Sequence, residues 1–435
     1  MERYEAYRDS GIEWIGEIPE RWTADKVVRL FAVIGSGTTP RTDVEAYYDG
    51  DIPWVQSGDL GEWMITGTSK TVTEDAIRNT SALVLYEAPF IAIAMYGASI
   101  GNMSIIEVDS CVNQACCVLS NCKAVMRYYA YALDSAKRYL IDHGIGGTQP
   151  NISQQVIRGL WLPQPSIHEQ RAIADYLDAK TAEIDALVAD CEREVGLLRE
   201  YRKAVISEAV TKGLDPDAPM RDSGVEWIGE IPERWDVVGF KTYLNGIVDY
   251  RGRTPEKVDD GVFLITGRNI KQGRIHYELS QEYMRREDYD TIMSRGRLKV
   301  GNVLFTMEAP LGEAALIDRN DCAAAQRIIQ LCCNEDELFG AFLVYWIMSN
   351  EFQSNLQTYA TGSTASGIKA SKLGMLRLMH PPMEAQHSIV DYLNAKTAEI
   401  DSLIDAKQQM ADKLREYRKS LISEAVTGKF KVPGV

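Results

Sequence analysis

The sequence predicts an α+β protein: two mixed α/β domains joined by two long helices that pair along a near-heptad seam, in a pseudo-twofold arrangement. Three observations lead there. A stretch beginning at Ala179, AKTAEIDALVADCEREVGLLREYRKAVISEAVTKG, returns at Ala395 as AKTAEIDSLIDAKQQMADKLREYRKSLISEAVTGK. The copies stay in step without a gap, so Ile184 answers to Ile400, Leu198 to Leu414, Tyr201 to Tyr417 and Glu208 to Glu424. A second duplication, RDSGIEWIGEIPERW from Arg8 and RDSGVEWIGEIPERW from Arg221, differs only by Ile against Val. Between these near-identical frames lie two regions that share an order of short strands and turns but little identity.

The plan is therefore leader, head, long helix, linker, leader, head, long helix. It divides into a framework segment at 1–22, a first head at 23–163 and a first spacer helix at 164–213. A linker with the second leader occupies 214–235, the second head 236–382 and the second spacer helix 383–435. Each leader is short, punctuated by Gly and Pro, and carries two tryptophans, as suits a segment whose aromatic residues pack on the helices.

In the first head, ADKVVRLFAVI reads as a strand or short helix and GSGTTPRT as a turn. DIPWVQSGDL is a short strand and loop, and PFIAIAMYGASIGNMSIIEV two buried strands around a Gly-rich turn. CVNQACCVLS is a further strand, AVMRYYAYALDSAKRYLIDH has helical spacing, and GIGGTQPNIS is a loop. VIRGLWLPQP leads as an extended segment into the long helix. The second head follows suit: RGRTPEK takes the place of GTTPRT, FLITGRNI of PWVQSGDL, VLFTMEAPLGEAALID of FIAIAMYGASIGNMSIIE, and GSTASGI of GGTQPNI.

Each long helix is announced by its apolar spacing. Ile173, Leu177, Ile184, Leu187, Cys191, Val195, Leu198, Val205 and Ala209 recur at gaps of three, four and seven, close to a heptad seam. Leu393, Ile400, Leu403, Met410, Leu414, Tyr417 and Leu421 repeat the seam. Ser166 followed three residues on by Glu169 is a capping-box start. About 44 residues at the α-helical rise make a rod of roughly 65 Å. The second helix has MEAQ where the first has SIHEQ, so it lacks that Ser cap. The linker LDPDAPM is rich in Pro and Asp.

Composition narrows the function classes. With 435 residues, 45% hydrophobic and 25% charged, the chain is a soluble globular protein of several domains. No apolar run reaches the length of a membrane helix, and MERYEAYRDSG does not resemble a secretion signal, so a cytoplasmic location is expected. The eight cysteines lie in apolar strand-like runs or, as Cys191, on the helix seam, without zinc-site spacing, and are expected to be buried free thiols. None of the five histidines has a metal-site or triad context, and there is no Walker A loop or HExxH motif. No Asp- or Asn-Pro-Pro-aromatic tetrad of the amino-methyltransferase kind occurs. Catalysis and a bound metal are not expected of this chain.

The net charge of −15 speaks against a nucleic-acid ligand at first sight, but the second head nearly balances, with its cations gathered in its first half. Polar groups on Gly-rich turns are the candidates for DNA contact. In the first head they are Ser36, Thr38, Thr39, Arg41, Gln56, Ser57, Asn113, Gln114, Thr148, Gln149 and Asn151. In the second they are Arg251, Arg253, Thr254, Arg268, Asn269, Lys271, Gln326, Arg327, Ser363, Thr364 and Lys369. Arg grips guanine with two hydrogen bonds and Asn or Gln does so with adenine, while Ser, Thr and Lys mostly hold phosphates.

GIEWIGEIPERW, then a variable domain, then LPQPSIHEQRAIADYLDAKTAEID and LREYRKAVISEAVTKG, resembles the specificity subunit of type I restriction-modification systems. The likeness covers essentially the whole chain, in both copies. The resemblance implies two target-recognition domains, each reading one half of a bipartite double-stranded DNA target, with the two long helices paired antiparallel as a coiled-coil spacer that sets the gap between half-sites. It implies two modification (methyltransferase) subunits docked on the helices and further restriction/translocase subunits. S-adenosylmethionine would sit on the partner modification subunits, ATP and Mg on the partner restriction subunits, and no cofactor on this chain. A scaffold whose heads organise protein partners instead of DNA is the alternative; a self-sufficient modification enzyme is disfavoured by the missing motifs.

Overall fold

The structure is a computed structural model that describes residues 2–144, 151–250, 255–362 and 366–435. Thr148, Gln149, Arg251, Arg253, Thr254, Ser363 and Thr364 lie outside the described residues. The chain divides into two compact units, one formed by Met1–Cys191 with Met410–Val435 and the other by Glu192–Gln409. Each unit combines a leader, a head and parts of both long helices.

In the first unit the leader folds as an antiparallel pair, Tyr7–Asp9 with Glu17–Pro19. The Arg8 guanidinium ties it shut by donating to the carbonyls of Glu20 (3.3 Å) and Trp22 (2.6 Å). Strand Thr23–Lys26 pairs with Trp161–Gln164, bringing the two ends of the head together. Inside the head, a five-stranded sheet runs in the order Phe31–Ser36, Cys116–Cys122, Phe90–Ala94, Met103–Ile106, Met64–Ile65. A smaller sheet joins Tyr48–Val55 to Cys111–Val112 in parallel and to Thr71–Val72 in antiparallel. Helix Met126–Ser135 covers the main sheet and is buried along most of its length. One segment departs from expectation. Gln154–Gly159, of which 156–159 is expected to be extended, is a helix, because Ser153 accepts from the Val156 N–H and supplies an N-cap.

The second unit repeats the plan. Its leader pairs Met220–Asp222 with Glu230–Pro232, and Arg221 donates to the Glu233 carbonyl at 3.0 Å and to that of Trp235. Asp236–Gly239 pairs with Arg377–His380. A four-stranded sheet runs Leu244–Asp249, Ile328–Cys333, Val303–Met307, Leu311–Leu316, with helix Gly340–Met348 buried against it.

The long helices span Ile167–Lys212 and Met383–Val426. Ser166 and Glu169 form the expected capping box: the Glu169 N–H donates to Ser166 Oγ (3.3 Å) and the Ser166 N–H to Glu169 Oε2 (3.1 Å). A device common to both helices lies one residue further. Gln170 accepts from the Val125 N–H at the uncapped start of the head helix and donates to the Pro165 carbonyl. Gln386 does the same for Phe339, and donates to Pro381 and Glu337. Both glutamines are buried. Each therefore caps a head helix and fixes it to the framework.

Within each unit the two long helices run antiparallel, pinned by equivalent ion pairs. Arg418 meets Asp185 at 2.9 Å in the first unit, and Arg202 meets Asp401 at 2.8 Å in the second. The second unit adds Lys407–Glu194. The seam keeps Ile173, Leu177, Ile184, Cys191, Val195, Val205, Ala209, Leu393, Ile400 and Leu421 buried. Leu187, Leu403, Met410 and Tyr417, expected on it, are instead exposed, and Ile404 and Ala411 are buried. The seven-residue spacing places Leu403 and Met410 one residue too early, at the neighbours of the buried Ile404 and Ala411.

One tryptophan of each leader packs as expected, while Trp14 and Trp227 are only half-buried and Trp14 donates to the Trp161 carbonyl. Trp22 is fully buried and donates Nε1–H to Glu169 at 3.0 Å, while Trp235 is buried in the second unit. Gly428, with φ +71°, ends the second long helix; a Cβ there would stand 2.6 Å from Pro19 and 2.9 Å from Trp22. Gly213 takes the same conformation against Trp235 and Pro232 at the end of the first. All eight cysteines are free thiols, six of them buried and Cys122 and Cys332 half-buried.

Candidate nucleic-acid interface

In both heads two of the candidate loops leave the carboxyl ends of two paired parallel strands. Trp54 and Val55 run beside Cys111 and Val112 in the first head, and Leu264 and Ile265 beside Ala323 and Ala324 in the second. The backbone then repeats itself. The Asn113 N–H donates to the Val55 carbonyl at 2.9 Å, and the Ala325 N–H to that of Ile265 at 2.8 Å. The Met95 N–H donates to Ala115 and the Ile152 N–H to Met95; Met307 to Arg327 and Ile368 to Met307 match them, each within 2.8–3.0 Å. These bonds establish a position-by-position equivalence, in which Gln56-Ser57-Gly58-Asp59 matches Thr266-Gly267-Arg268-Asn269 and Asn113-Gln114-Ala115 matches Ala325-Gln326-Arg327.

The first turn is shaped alike in the two heads. Asp59 Oδ2 accepts from the Gln56 N–H at 2.8 Å, and Asn269 Oδ1 from the Thr266 N–H at 2.9 Å. Asn269 is completely buried, and its amide NH₂ donates to the carbonyls of His276 and Ser280. Its hydrogen bonds are committed inside the protein, so it forms the turn that presents Arg268 and does not itself face a ligand. Asp59, its equivalent, escaped the sequence reading; the shared x-x-[Asp/Asn] spacing after each strand was the available signal.

The first head gathers its candidates tightly. Gly37 allows the loop after Phe31–Ser36 to cross the second strand of the pair, where a Cβ would lie 1.7 Å from the Val112 carbonyl oxygen. Ser36 Oγ consequently donates to the Cys116 carbonyl (2.8 Å), and Thr39 Oγ1 to Gln114 Oε1 (2.8 Å). Asn113 Oδ1 accepts from the Ala115 N–H, which stiffens the same loop. Thr38, Gln56 and Ser57 are half-buried beside them, and Asn151 is exposed one residue before Ile152. Arg41, also exposed, is held by both oxygens of Asp43, and this pairing keeps the Asp43 carboxyl below the usual carboxylate range. The tip of the first head thus presents amides and hydroxyls.

The second head presents cations at the same place. Arg268, Lys271 and Arg327 are exposed, as are Gln326 and Lys369. Arg327 has φ +78°, in the left-handed region that only glycine enters freely, and lies 3.8 Å from Glu308.

A second surface is duplicated along the long helices. In the first unit Tyr176, the Lys180–Glu183 pair (2.7 Å) and Leu187 stand with Tyr417 of the other helix. In the second, Tyr392, the Lys396–Glu399 pair (2.8 Å) and Leu403 stand with Tyr201. Leu187 and Leu403 are 42% and 47% exposed, and Tyr417 and Tyr201 both 50%, so each unit shows the same apolar patch to solvent. Among the described residues no group of three or more potential metal ligands occurs, and no helix is long and apolar enough to cross a membrane.

A family model described as the type I restriction modification DNA specificity domain matches residues 19–190 and again 254–410. The chain belongs to this family. Specificity subunits similar to it match most of its length. The MjaVIII specificity subunit of Methanocaldococcus jannaschii is 22% identical over 429 residues, covering 95% of this chain and 94% of that one. The EcoBI specificity subunit of Escherichia coli is 22% identical over 316 residues, covering 69% and 65%. Among solved structures, a chain from a study of complex assembly and conformational transition of the type I R-M system aligns with a TM-score of 0.70 at 15% identity, over 95% of this chain and 99% of that one. The HsdS subunit from Thermoanaerobacter tengcongensis gives a TM-score of 0.51 at 14% identity, over 95% and 98%. The specificity-domain fold, two mixed α/β domains joined by a long helix, is what these likenesses share with the chain.

Proposed function

We propose that this chain is the sequence-specific DNA-binding subunit of a type I restriction-modification complex, that it reads a bipartite target with one head per half-site, and that it is itself non-catalytic. The target-recognition domains are 23–163 and 236–382, with 1–22, 164–213, 214–235 and 383–435 as framework. The observation that carries this reading is the contrast at the head tips. Two loops with the same backbone hydrogen bonds bear different side chains, Gln56, Ser57 and Gln114 in one head and Arg268 and Arg327 in the other. A fixed scaffold with exchangeable side chains is what reading two different half-sites requires.

The duplicated Tyr–Lys–Leu–Tyr patches support two copies of one protein partner, the modification subunit, one on each unit. Identical side chains, with a leucine and a tyrosine exposed in each unit, fit a repeated partner, whereas the heads have diverged. S-adenosylmethionine would then be supplied by these partners, and ATP and Mg by restriction subunits, all in the cytoplasm. Shared grip also accommodates the acidic charge, since phosphate neutralisation can be divided among subunits while the heads supply selectivity.

Methylome sequencing of cells carrying this chain with its modification subunit, against cells lacking this chain, tests the reading. A new methylated motif of two short half-sites around a fixed gap is expected. No new motif despite an assembled complex would overturn it in favour of a protein-binding scaffold.

A further inference from the structure

The equivalence of the two head tips allows their chemistry to be compared position by position. Where the second head has Arg268 and Arg327, the first has Gly58 and Ala115. These two charge differences between the tips lie in the loops that follow the two paired parallel strands.

Both arginines are placed for contact. Arg268 is exposed at the third position of a turn that the buried Asn269 locks with four hydrogen bonds, to the Thr266 N–H and Oγ1–H and to the carbonyls of His276 and Ser280. Arg327 is exposed on a loop whose backbone is held on both sides. Its carbonyl accepts from the Met307 N–H, and the preceding loop is fixed by the Ala325 N–H on Ile265. Its φ of +78° is unfavourable for a residue with a Cβ, and Ala115 at the matching position of the first head is not in that region. The strained conformation is retained although Glu308, at 3.8 Å, gives only a loose partner. A guanidinium presented from a rigid backbone suits bidentate recognition of the O6 and N7 acceptors of guanine.

We propose that the second head reads guanine through Arg268 and Arg327, so that its half-site contains G·C pairs at the contacted positions. This rests on the DNA-recognition reading above and deepens it. Lys271, exposed beside the same turn, carries a compact charge with no fork and holds phosphate instead.

The test is methylome sequencing of the complete complex with wild-type chain, R268A, R327G and K271A, together with binding of the purified complex to duplexes altered one pair at a time. Exchange of 23–163 for another member's first head identifies which half-site belongs to the second head, since only the other half changes. Arg327→Gly keeps the left-handed backbone conformation available, so the loop survives the substitution. In the wild type, replacing the contacted G·C pair with A·T is expected to weaken binding about tenfold or more. In R268A and R327G that preference falls at one position each, while the first half-site is unchanged. K271A weakens binding to all duplexes alike. A second half-site without a G·C pair, or a loss in R268A and R327G that is uniform across sequences, would overturn the guanine assignment while leaving bipartite recognition standing. Absence of any bipartite motif in the wild type would instead remove the underlying reading, and this inference with it.

Discussion

Replacing Glu169 with Ala removes the acceptor at which leader, head and first long helix meet. Its carboxylate receives Trp22 Nε1–H (3.0 Å), Arg21 (2.8 Å), and the Ser166 hydroxyl (2.8 Å) and N–H (3.1 Å). Trp22 is wholly buried, so its indole N–H would be left without an acceptor, at a cost of about 1–3 kcal/mol. Loss of half the capping box adds roughly 0.5–1 kcal/mol. The Arg21 side chain is 59% exposed, and its ion pair adds under about 1 kcal/mol. The sum is about 3 kcal/mol, or roughly 6–12 °C in the melting temperature of a unit this size. Glu384, exposed in the first turn of the second long helix, is the control, and its Ala variant should stay within about 0.5 kcal/mol. Burial pushes the Glu169 carboxyl upward, but the donors from Trp22, Ser166 and Arg21 outweigh it and hold the group below its ordinary value of 4.5. The ionised form therefore adds stability that is complete above pH 4.5 and is lost as pH falls through the lowered folded-state value. Denaturant melts of wild type, E169A and E169Q followed by tryptophan fluorescence would show both effects. A loss under about 1 kcal/mol in E169A would refute the reasoning, as would a gap between wild type and E169Q that fails to narrow below pH 4.5.

Further outcomes are open to direct measurement. Gln386→Leu strips an acceptor from the Phe339 N–H and donors from two carbonyls at a buried position, and should lower stability by about 2–4 kcal/mol in the same melts; an unchanged midpoint would show the cap to be dispensable. Gly428→Val combines a left-handed φ with contacts under 3 Å to Pro19 and Trp22, and should cost more than about 2 kcal/mol, against about 1 kcal/mol for Gly11→Ala in open space. A double-mutant cycle on Arg202 and Asp401 should give a coupling of about 1–2 kcal/mol, and a value near zero would remove the pair as a pin of helix register. Burial pushes the thiols of Cys111 and Cys333 up to about 12, so the native chain should resist alkylation at pH 8 at these sites, with the half-buried Cys122 and Cys332 reacting first.

The parts of the fold written in local chemistry could be read directly. Ser166 with Glu169 announced a helix start, the gapless duplication paired residues that form equivalent ion pairs, and the match of GGTQPNI with GSTASGI paired Ile152 with Ile368, which make equivalent backbone hydrogen bonds. Information carried by tertiary packing could not be read. Leu187 and Leu403 satisfy the apolar spacing yet face solvent, because the second helix decides which side of the first is covered. Ser153 was an available cap signal for Gln154–Gly159, but the apolar run after it looks equally like a strand. At the candidate interface residue type identified the loops, and burial then separated Asn269, which is committed inward, from its exposed neighbour Arg268.

The two units differ in how the chain supplies their parts. Glu192–Gln409 is one unbroken run, whereas the other unit recruits Met410–Val435 from far along the chain. Tyr128 of the first head donates its hydroxyl hydrogen to the Val426 carbonyl at 3.0 Å, and Ile422, Val426 and Phe430 complete the apolar cluster that holds Trp22. During synthesis the later-made unit can close first, while the earlier-made one waits with its aromatic base uncovered until the last helix emerges. A ribosome that stops short of Met410 thus releases a chain whose unfinished state is displayed on its surface, as tyrosine and tryptophan that chaperones and proteases can find.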